Sequence, residues 1–84
     1  MKHYTSSDFW EMYSELPAEI QELANKNYQL LKENPHHPSL QLKRIEELWS
    51  VRVGKHYRAI GIDAPDGIQW IWVGSHAEYD KFIA

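Results

Sequence analysis

The spacing of the apolar residues changes once along this chain, near Ser39, and this change constrains the fold more than any other feature. Over residues 9–31 the apolar residues recur every three or four positions, as they do along one side of an α-helix. Over residues 40–73 they alternate with polar residues or run together, as they do in β-strands. Because 84 residues leave room for one domain with a modest core, we expect residues 1–84 to form a single α+β domain.

Two helices are predicted before this change. The first is expected to start near Asp8, because the hydroxyl residues before it are suited to capping a helix N-terminus. Leu16-Pro17 should separate it from the second helix, since proline is favourable in a first helical turn. The second helix is expected to end near Asn34-Pro35. Two consecutive helices with a tight break between them indicate an antiparallel helical hairpin.

The second half of the chain predicts a small antiparallel meander sheet, with the helical hairpin packed on one face. Its strands are expected over residues 40–45, 48–53, 57–63 and 68–73. The sequence Ala64-Pro65-Asp66-Gly67 is typical of a hairpin turn between the last two strands. Residues 78–84 are expected either to add a helical turn or to form a frayed end.

Composition excludes some classes of protein. The chain has no cysteine, which excludes disulfides and thiolate metal sites. No signal peptide or membrane span is apparent, so we expect a cytoplasmic protein that does not act at a membrane. The formal net charge of −3 argues mildly against nucleic acid as a partner. The charge is uneven, however, because three lysines face six acids over residues 1–35 (−3), whereas five basic residues face two acids over residues 40–60 (+3).

Arg52 and Arg58 lie within apolar strands, where an arginine is costly to bury unless it is paired. Strand alternation lets both arginines share one face of the sheet while their apolar neighbours face the helices. We therefore expect them on an open face, where they could bind a phosphate. An alternative is that Arg58 forms a cross-strand ion pair with Glu46, Glu47 or Asp63.

A histidine, His76, directly follows the last predicted strand, and histidine is the residue type best suited to proton transfer at physiological pH. Together with the two arginines it supplies the groups needed to cleave RNA without a metal. The bland alternative is an ordinary histidine at the end of a strand. Tyr79 and Phe82 are expected to anchor the C-terminus to the sheet.

Two further patterns are ambiguous. Trp70 and Trp72 are expected to share one face of the last strand, either as core residues or as a platform on which bases stack. His36-His37 lies between prolines and is expected to form a solvent-facing loop, since no third metal ligand has a suitable spacing. The positions of His76, Glu78 and Asp80 give only a weak metal signal, so no metal site is predicted.

The order of two helices and basic strands, with three short motifs, resembles the RelE/ParE superfamily of bacterial type II toxins over nearly the whole chain from Phe9 to Phe82. The motifs are Ser50-Val51-Arg52-Val53, His56-Tyr57-Arg58-Ala59-Ile60 and Gly74-Ser75-His76-Ala77-Glu78-Tyr79. The resemblance implies a RelE/ParE-like fold whose first strand is truncated here, because residues 1–4 are few. The RelE, YoeB and HigB-like members are ribonucleases that cut messenger RNA, usually in the ribosomal A site, whereas the ParE-like members poison DNA gyrase.

The resemblance also implies roles for particular residues. Arg58 matches the arginine that binds the scissile phosphate, and His76 lies where ribonuclease members place a catalytic histidine or arginine. Tyr79 lies near the C-terminal catalytic tyrosine of the family. The resemblance and the uneven charge together suggest an RNA-binding set of Lys43, Arg44, Arg52 and Lys55.

The function expected from the resemblance is that of a toxin that arrests translation as an mRNA-cutting endoribonuclease, with neither a metal nor another cofactor. Its expected partners are a cognate antitoxin that covers the basic face, mRNA and the ribosome, with DNA contacted only through the antitoxin. Two alternatives stay open. One is a gyrase inhibitor, against which His76 argues, because a gyrase poison needs no acid or base there. The other is a non-catalytic, protein-binding member, which the net negative charge fits.

Overall fold

The structure is a computed structural model, and it describes residues 2–83. It has three α-helices, a 3-10 helix and a five-stranded mixed sheet, and it confirms the predicted α+β class. In chain order the elements are β1 (Lys2–Thr5), α1 (Ser7–Ser14), α2 (Ala18–Glu33), the 3-10 helix (Pro38–Leu40), β2 (Lys43–Ile45), β3 (Leu48–Val53), β4 (Tyr57–Ala64), β5 (Gly67–Ser75) and α3 (His76–Ile83).

The helical pair forms as the sequence predicts. Ser6 caps α1, because its hydroxyl accepts a hydrogen bond from the main-chain N–H of Phe9 (3.2 Å). Pro17 precedes the first residue of α2 and separates the two helices. The side-chain amide of Gln21 donates to three carbonyls at and just beyond the end of α1, where main-chain carbonyls run short of helical N–H partners. Those carbonyls belong to Tyr13, Ser14 and Leu16.

The sheet has the strand order β1-β5-β4-β3-β2. Strands β2 to β5 form the predicted antiparallel meander. The expected truncation of the first strand is wrong, because Lys2–Thr5 is a strand that pairs parallel to β5. Gly67 makes this pairing possible, since a Cβ there would overlap the main chain of Lys2. The Lys2 N–H also donates to the carbonyl of Asp66 (3.0 Å). A strand of four residues is too short to show a period.

A bulge in β5 changes the predicted arrangement of its tryptophans. Ile60 of β4 is paired with Trp72, but the next residue, Gly61, is paired with Trp70, so Ile71 is an extra residue. Trp70 and Trp72 therefore lie on opposite faces, and the expectation that they share one is wrong. Trp70 is buried in the core beneath the helices, whereas the ring of Trp72 contacts Phe82 of α3 at a centroid distance of 5.6 Å.

The sheet is covered on both faces. The helical pair packs on the face formed by Val51, Val53, Ala59 and Val73. Helix α3 packs on the other face, against β4 and β5. The expectation of an open arginine face is therefore wrong, since Arg58 is only 4% exposed. Helix α3 starts at His76, earlier than the predicted extra turn. None of the helices among residues 2–83 is long and apolar enough to cross a membrane.

Candidate functional site

A buried arginine forms the base of the candidate site. Arg58 on β4 is paired across the sheet with Arg52 on β3. Its Nε donates to the hydroxyl of Ser50 (2.8 Å) and its Nη2 donates to the main-chain carbonyl of Gln41 (3.1 Å). Burial lowers the pKa of Arg58, but an arginine still keeps its proton at neutral pH. The guanidinium is thus a buried cation whose short hydrogen bonds go to neutral acceptors.

Arg58 does not form the cross-strand ion pair that the sequence left as an alternative. Within residues 2–83, no carboxylate lies within ion-pair distance of Arg58. Asp63 is instead paired with Arg44, with distances of 2.8 and 2.6 Å between the two side chains. A guanidinium has five N–H donors, and Arg58 uses two of them in its short bonds, with a third at 3.5 Å from the Gln41 side chain. At least two donors remain for a ligand.

A polar pocket of about 260 Å³ opens beside this guanidinium. Its lining residues are cationic, titratable or neutral, and none of them is an acid: Gln41, Arg52, Lys55, Tyr57, Arg58 and His76. The charge of Arg52 further lowers the pKa of Arg58, which means that the two cations repel each other. An anion in the pocket would relieve this repulsion. The pocket is therefore suited to an anionic ligand.

His76 is held at the edge of this pocket by main-chain contacts. Its N–H donates to the carbonyl of His56 (2.6 Å) at the point where β5 continues into α3. Its imidazole is half exposed, and Nδ1 lies 3.3 Å from a carboxylate oxygen of Asp80, four residues later on the helix. A carboxylate at Nδ1 favours the tautomer with the proton on that atom, which makes Nε2 the nitrogen that can accept a proton.

A capping box fixes the start of α3 and thereby the position of His76. The Ser75 hydroxyl accepts from the N–H of Glu78 (3.2 Å), and the Glu78 carboxylate accepts from the N–H of Ser75 (3.2 Å). These bonds from Ser75 lower the pKa of Glu78. The capping sequence therefore explains why the helix begins at the residue that carries the imidazole.

Tyr79 connects the arginine with the histidine. Its ring lies 5.3 Å from the Arg58 guanidinium carbon and 5.6 Å from the imidazole centroid of His76. Tyr79 is buried, and its hydroxyl makes no hydrogen bond of good geometry among the residues that the structure describes. The hydroxyl is nevertheless close enough to the Arg58 guanidinium to raise the pKa of Arg58, against the lowering effect of burial.

The structure brings together five of the seven predicted site residues: Arg52, Lys55, Arg58, His76 and Tyr79. The other two lie on β2, outside the pocket lining. Lys43 is exposed and is paired with Ser50, so it is on the Arg58 face of the sheet. Arg44 is on the opposite face, stacked over the Trp49 ring at 4.8 Å. The bonds from Arg44 and Trp49 lower the pKa of Asp63.

Sequence reasoning missed the polar residues that support the site. Gln41 lies in a short segment with no period, and its contact with Arg58 spans 17 residues of chain. Asp80 could have been identified, because positions i and i+4 of a helix are neighbours and His76 is its partner. Ser50 gave a signal too, as a small polar residue next to Arg52 in an apolar strand.

A second cleft, of about 160 Å³, lies between the helical pair and the sheet. Its lining is mostly apolar and aromatic, and includes Phe9, Trp10, Tyr13 and Tyr28. Functional sites are marked by titratable groups that converge, and those lie in the polar pocket on the other face of the sheet. We therefore take the polar pocket as the candidate site.

Comparison with protein families gives one match, which covers most of the chain. The model of the ParE-like toxin domain matches residues 18–81. This segment contains α2, the strands β2 to β5 and most of α3, and therefore all the pocket residues. Among curated proteins, the search finds no significant match to the sequence.

Solved toxin structures have the same fold at low sequence identity. The RelB-RelE antitoxin-toxin complex from Methanococcus jannaschii matches with a TM-score of 0.74 and 15% identity, covering 96% of this chain and 99% of that one. The YoeB/ParE toxin from Agrobacterium tumefaciens matches with a TM-score of 0.69 and 19% identity, over 90% of this chain and 99% of that one. The intact E. coli RelBE toxin-antitoxin complex gives 0.62 and 15%, with coverage of 86% and 92%.

Proposed function

Because the chain belongs to the ParE-like toxin domain family, we propose that it is the toxin of a type II toxin–antitoxin system and that it cleaves mRNA without a metal. The observation that carries the proposal is the convergence of Arg52, Lys55, Arg58 and His76 on one pocket that has no acidic residue in its lining. Such a pocket suits a phosphodiester with a proton-transfer group beside it. Tyr79 adds a buried hydroxyl without a partner in the described part of the chain.

Binding of the scissile phosphate is the first step of the proposed mechanism. The remaining N–H donors of Arg58 face an oxygen of the phosphate from the base of the pocket. Arg52 and Lys55 add positive charge at its wall. The buried ring of Tyr79 lies against the Arg58 guanidinium and supports that cation from behind the pocket. Charge-assisted hydrogen bonds such as those from Arg58 to the phosphate are about twice as strong as neutral ones.

Cleavage then proceeds by attack of the neighbouring ribose 2′-hydroxyl on the phosphorus, which requires RNA. Nε2 of neutral His76 takes the 2′-hydroxyl proton while a water molecule protonates the leaving 5′ oxygen, or protonated His76 protonates the 5′ oxygen while a water molecule takes the 2′-hydroxyl proton. The P–O5′ bond breaks, which leaves a 2′,3′-cyclic phosphate and a 5′-hydroxyl. Negative charge builds up on the phosphorane oxygens, and each well-placed donor lowers the barrier by roughly 3–4 kcal/mol.

The proposed partners, an antitoxin and RNA, both act at the same pocket. The structures from M. jannaschii and E. coli are described as antitoxin-toxin complexes, which supports a cognate antitoxin for this chain. In our proposal the antitoxin covers the basic pocket and prevents RNA from reaching it. The substrate is cytoplasmic mRNA, engaged on the ribosome, and DNA is contacted only through the antitoxin.

A gyrase inhibitor is the second candidate, and the ParE-like description of the matching family favours it. The two candidates differ in whether they need the imidazole of His76. An inhibitor of gyrase has no use for a proton-transfer group in a cationic pocket, whereas RNA cleavage requires one. The distinction can be made in cells.

Induced expression of the wild-type chain and two variants tests the proposal. Arg58→Ala removes the phosphate-binding cation. Lys32→Ala is the matched control, because Lys32 is also a cation stacked on a tyrosine (4.7 Å from the Tyr28 ring) but lies on α2. We expect the wild type and the control to arrest growth and translation with cut mRNA, and Arg58→Ala to do neither. A DNA-damage response with intact mRNA would identify the gyrase candidate instead, and no growth arrest at all would indicate a non-catalytic member.

A further inference from the structure

Ser50 is the one serine, threonine, asparagine or glutamine that is buried in residues 2–83, with 1% exposure. It lies on β3 between apolar neighbours, where an unpaired hydroxyl would be costly. Its Oγ accepts the Nε–H of Arg58 at 2.8 Å. The hydroxyl and the guanidinium therefore satisfy each other inside the sheet layer.

The orientation of a guanidinium is set by two hydrogen bonds, because the group is planar and its donors are rigidly arranged. In Arg58 these bonds go to the Ser50 hydroxyl and the Gln41 carbonyl. Gln41 has a left-handed backbone with φ of 45°, which is uncommon for a residue other than glycine. The two acceptors together decide which guanidinium N–H groups are left for the pocket.

We propose that Ser50 is a positioning residue, which holds the guanidinium of Arg58 so that its free N–H donors face the phosphate. The effect that we expect on catalysis rests on the proposed function. The Gln41 carbonyl belongs to the main chain and is kept in any variant, so Ser50 is the acceptor that substitution can remove. Ser50 does not itself touch the substrate, because Arg58 lies between them.

Three variants test this role. Ser50→Ala removes the acceptor, and Ser50→Thr restores a hydroxyl with a residue that strands favour. Ile68→Val is the control for loss of packing, because Ile68 is equally buried (1% exposed) but lies in the core under the helices. All are compared at temperatures where each variant is folded, as shown by circular dichroism.

The first measurement needs no activity. Nuclear magnetic resonance of the arginine side chains reports hydrogen exchange at the Arg58 Nε–H, and a titration with a 2′-deoxy dinucleotide reports phosphodiester binding. We expect Ser50→Ala to speed this exchange and to weaken binding of the dinucleotide about tenfold, the size expected for one lost hydrogen bond. Ser50→Thr and Ile68→Val should behave as the wild type. Wild-type exchange and binding in Ser50→Ala would overturn the inference.

The second measurement is RNA cleavage. We expect kcat to fall about tenfold in Ser50→Ala with a smaller change in KM, and to recover in Ser50→Thr. An equal loss of kcat in Ile68→Val would mean that Ser50 acts only through packing, and would overturn the inference. If the wild type binds the dinucleotide but cuts no RNA, the proposed function fails, and the exchange and binding data still decide the role of Ser50.

Discussion

At the scale of single residues, a buried cation lines the pocket and a buried hydroxyl lies beside that cation, and neither is fully satisfied by the protein. Arg58 keeps at least two free donors, and the Tyr79 hydroxyl has no partner in the described chain. Both groups cost free energy when they are buried without a partner. The proposed function accounts for the free donors of Arg58, because a phosphodiester in the pocket would accept their hydrogen bonds.

Replacing Tyr79 with phenylalanine should therefore separate stability from activity. Since the hydroxyl is buried without a partner, its removal should raise the free energy of unfolding by about 1 kcal/mol or leave it unchanged. Cleavage should fall severalfold, because the Tyr79 hydroxyl no longer helps to orient the Arg58 guanidinium beneath the phosphate. Urea denaturation and a cleavage assay check the two effects, with Tyr28→Phe on α2 as the control. A less stable or fully active Tyr79→Phe protein would contradict this account.

The sequence predicted which residue types meet in the pocket but not their surroundings. Alternation correctly placed Arg52 and Arg58 on one face of the sheet. It could not predict that Arg58 is buried, because α3 and Gln41 reach it from distant parts of the chain. It also could not predict that Arg44 lies on the face opposite the pocket. A lysine and an arginine in a three-residue strand show no clear alternation.

At the scale of elements, strand β1 completes the sheet edge and depends on contacts that span the chain. His3 on β1 stacks on Trp70 of β5, with 6.2 Å between the ring centroids. Its Nδ1 accepts a hydrogen bond from the Trp70 indole N–H (3.2 Å), which requires that nitrogen to be unprotonated. Burial lowers the pKa of His3 below its ordinary value of 6.5, and the charge of Lys32 adds to the effect.

This lowered pKa predicts that the attachment of β1 weakens in acid. The unfolded chain binds the His3 proton more readily than the folded chain, so stability rises with pH in this range. The contribution is complete above the ordinary pKa of 6.5 and is lost as pH falls through the lower folded pKa. Thermal unfolding between pH 7.5 and 5 should show a smaller loss of Tm for His3→Gln than for wild type. Equal losses would contradict the prediction, and His36→Gln in the exposed loop is the control.

The sequence predicted those helices and strands that are long enough for an apolar pattern to repeat. The helical pair and the strands β3 to β5 each extend over six or more residues, and their capping and turn residues agree with the pattern. Strand β1 was missed because four residues carry no reliable period and because its partner is more than 60 residues away. The β5 bulge was missed because an extra residue such as Ile71 depends on the pairing with β4, which the strand sequence does not contain.

At the scale of the whole molecule, charge is divided between the two halves of the chain. The segment 1–35, which contains β1 and the helical pair, carries −3, whereas residues 40–60 carry +3. Three of the five basic residues in the second segment, Arg52, Lys55 and Arg58, line the pocket. Such a distribution suits contact with a few phosphates and not with a long nucleic-acid backbone.

RNA binding should accordingly depend only moderately on salt. Three pocket cations, Arg52, Lys55 and Arg58, would neutralise about three phosphates, which gives a slope of log K against log salt of about −2 for single strands. Affinity should fall roughly 20-fold between 50 and 200 mM salt. Fluorescence anisotropy with a 2′-deoxy oligonucleotide measures the slope, and Lys55→Ala should reduce it by about 0.7. A slope near −5 would mean that basic residues outside the pocket take part.

The central claim is that this pocket promotes attack of a ribose 2′-hydroxyl on a phosphate held by Arg58. The most direct measurement is in vitro cleavage of a translated message in the presence of a chelator that leaves ribosomes intact but removes free transition metals. Primer extension should map each cut to a single position in the message. The upstream products should end in a 2′,3′-cyclic phosphate. A single 2′-deoxy substitution at the cut site or the Arg58→Ala substitution should abolish that cut. Cleavage that persists with either change would contradict the account.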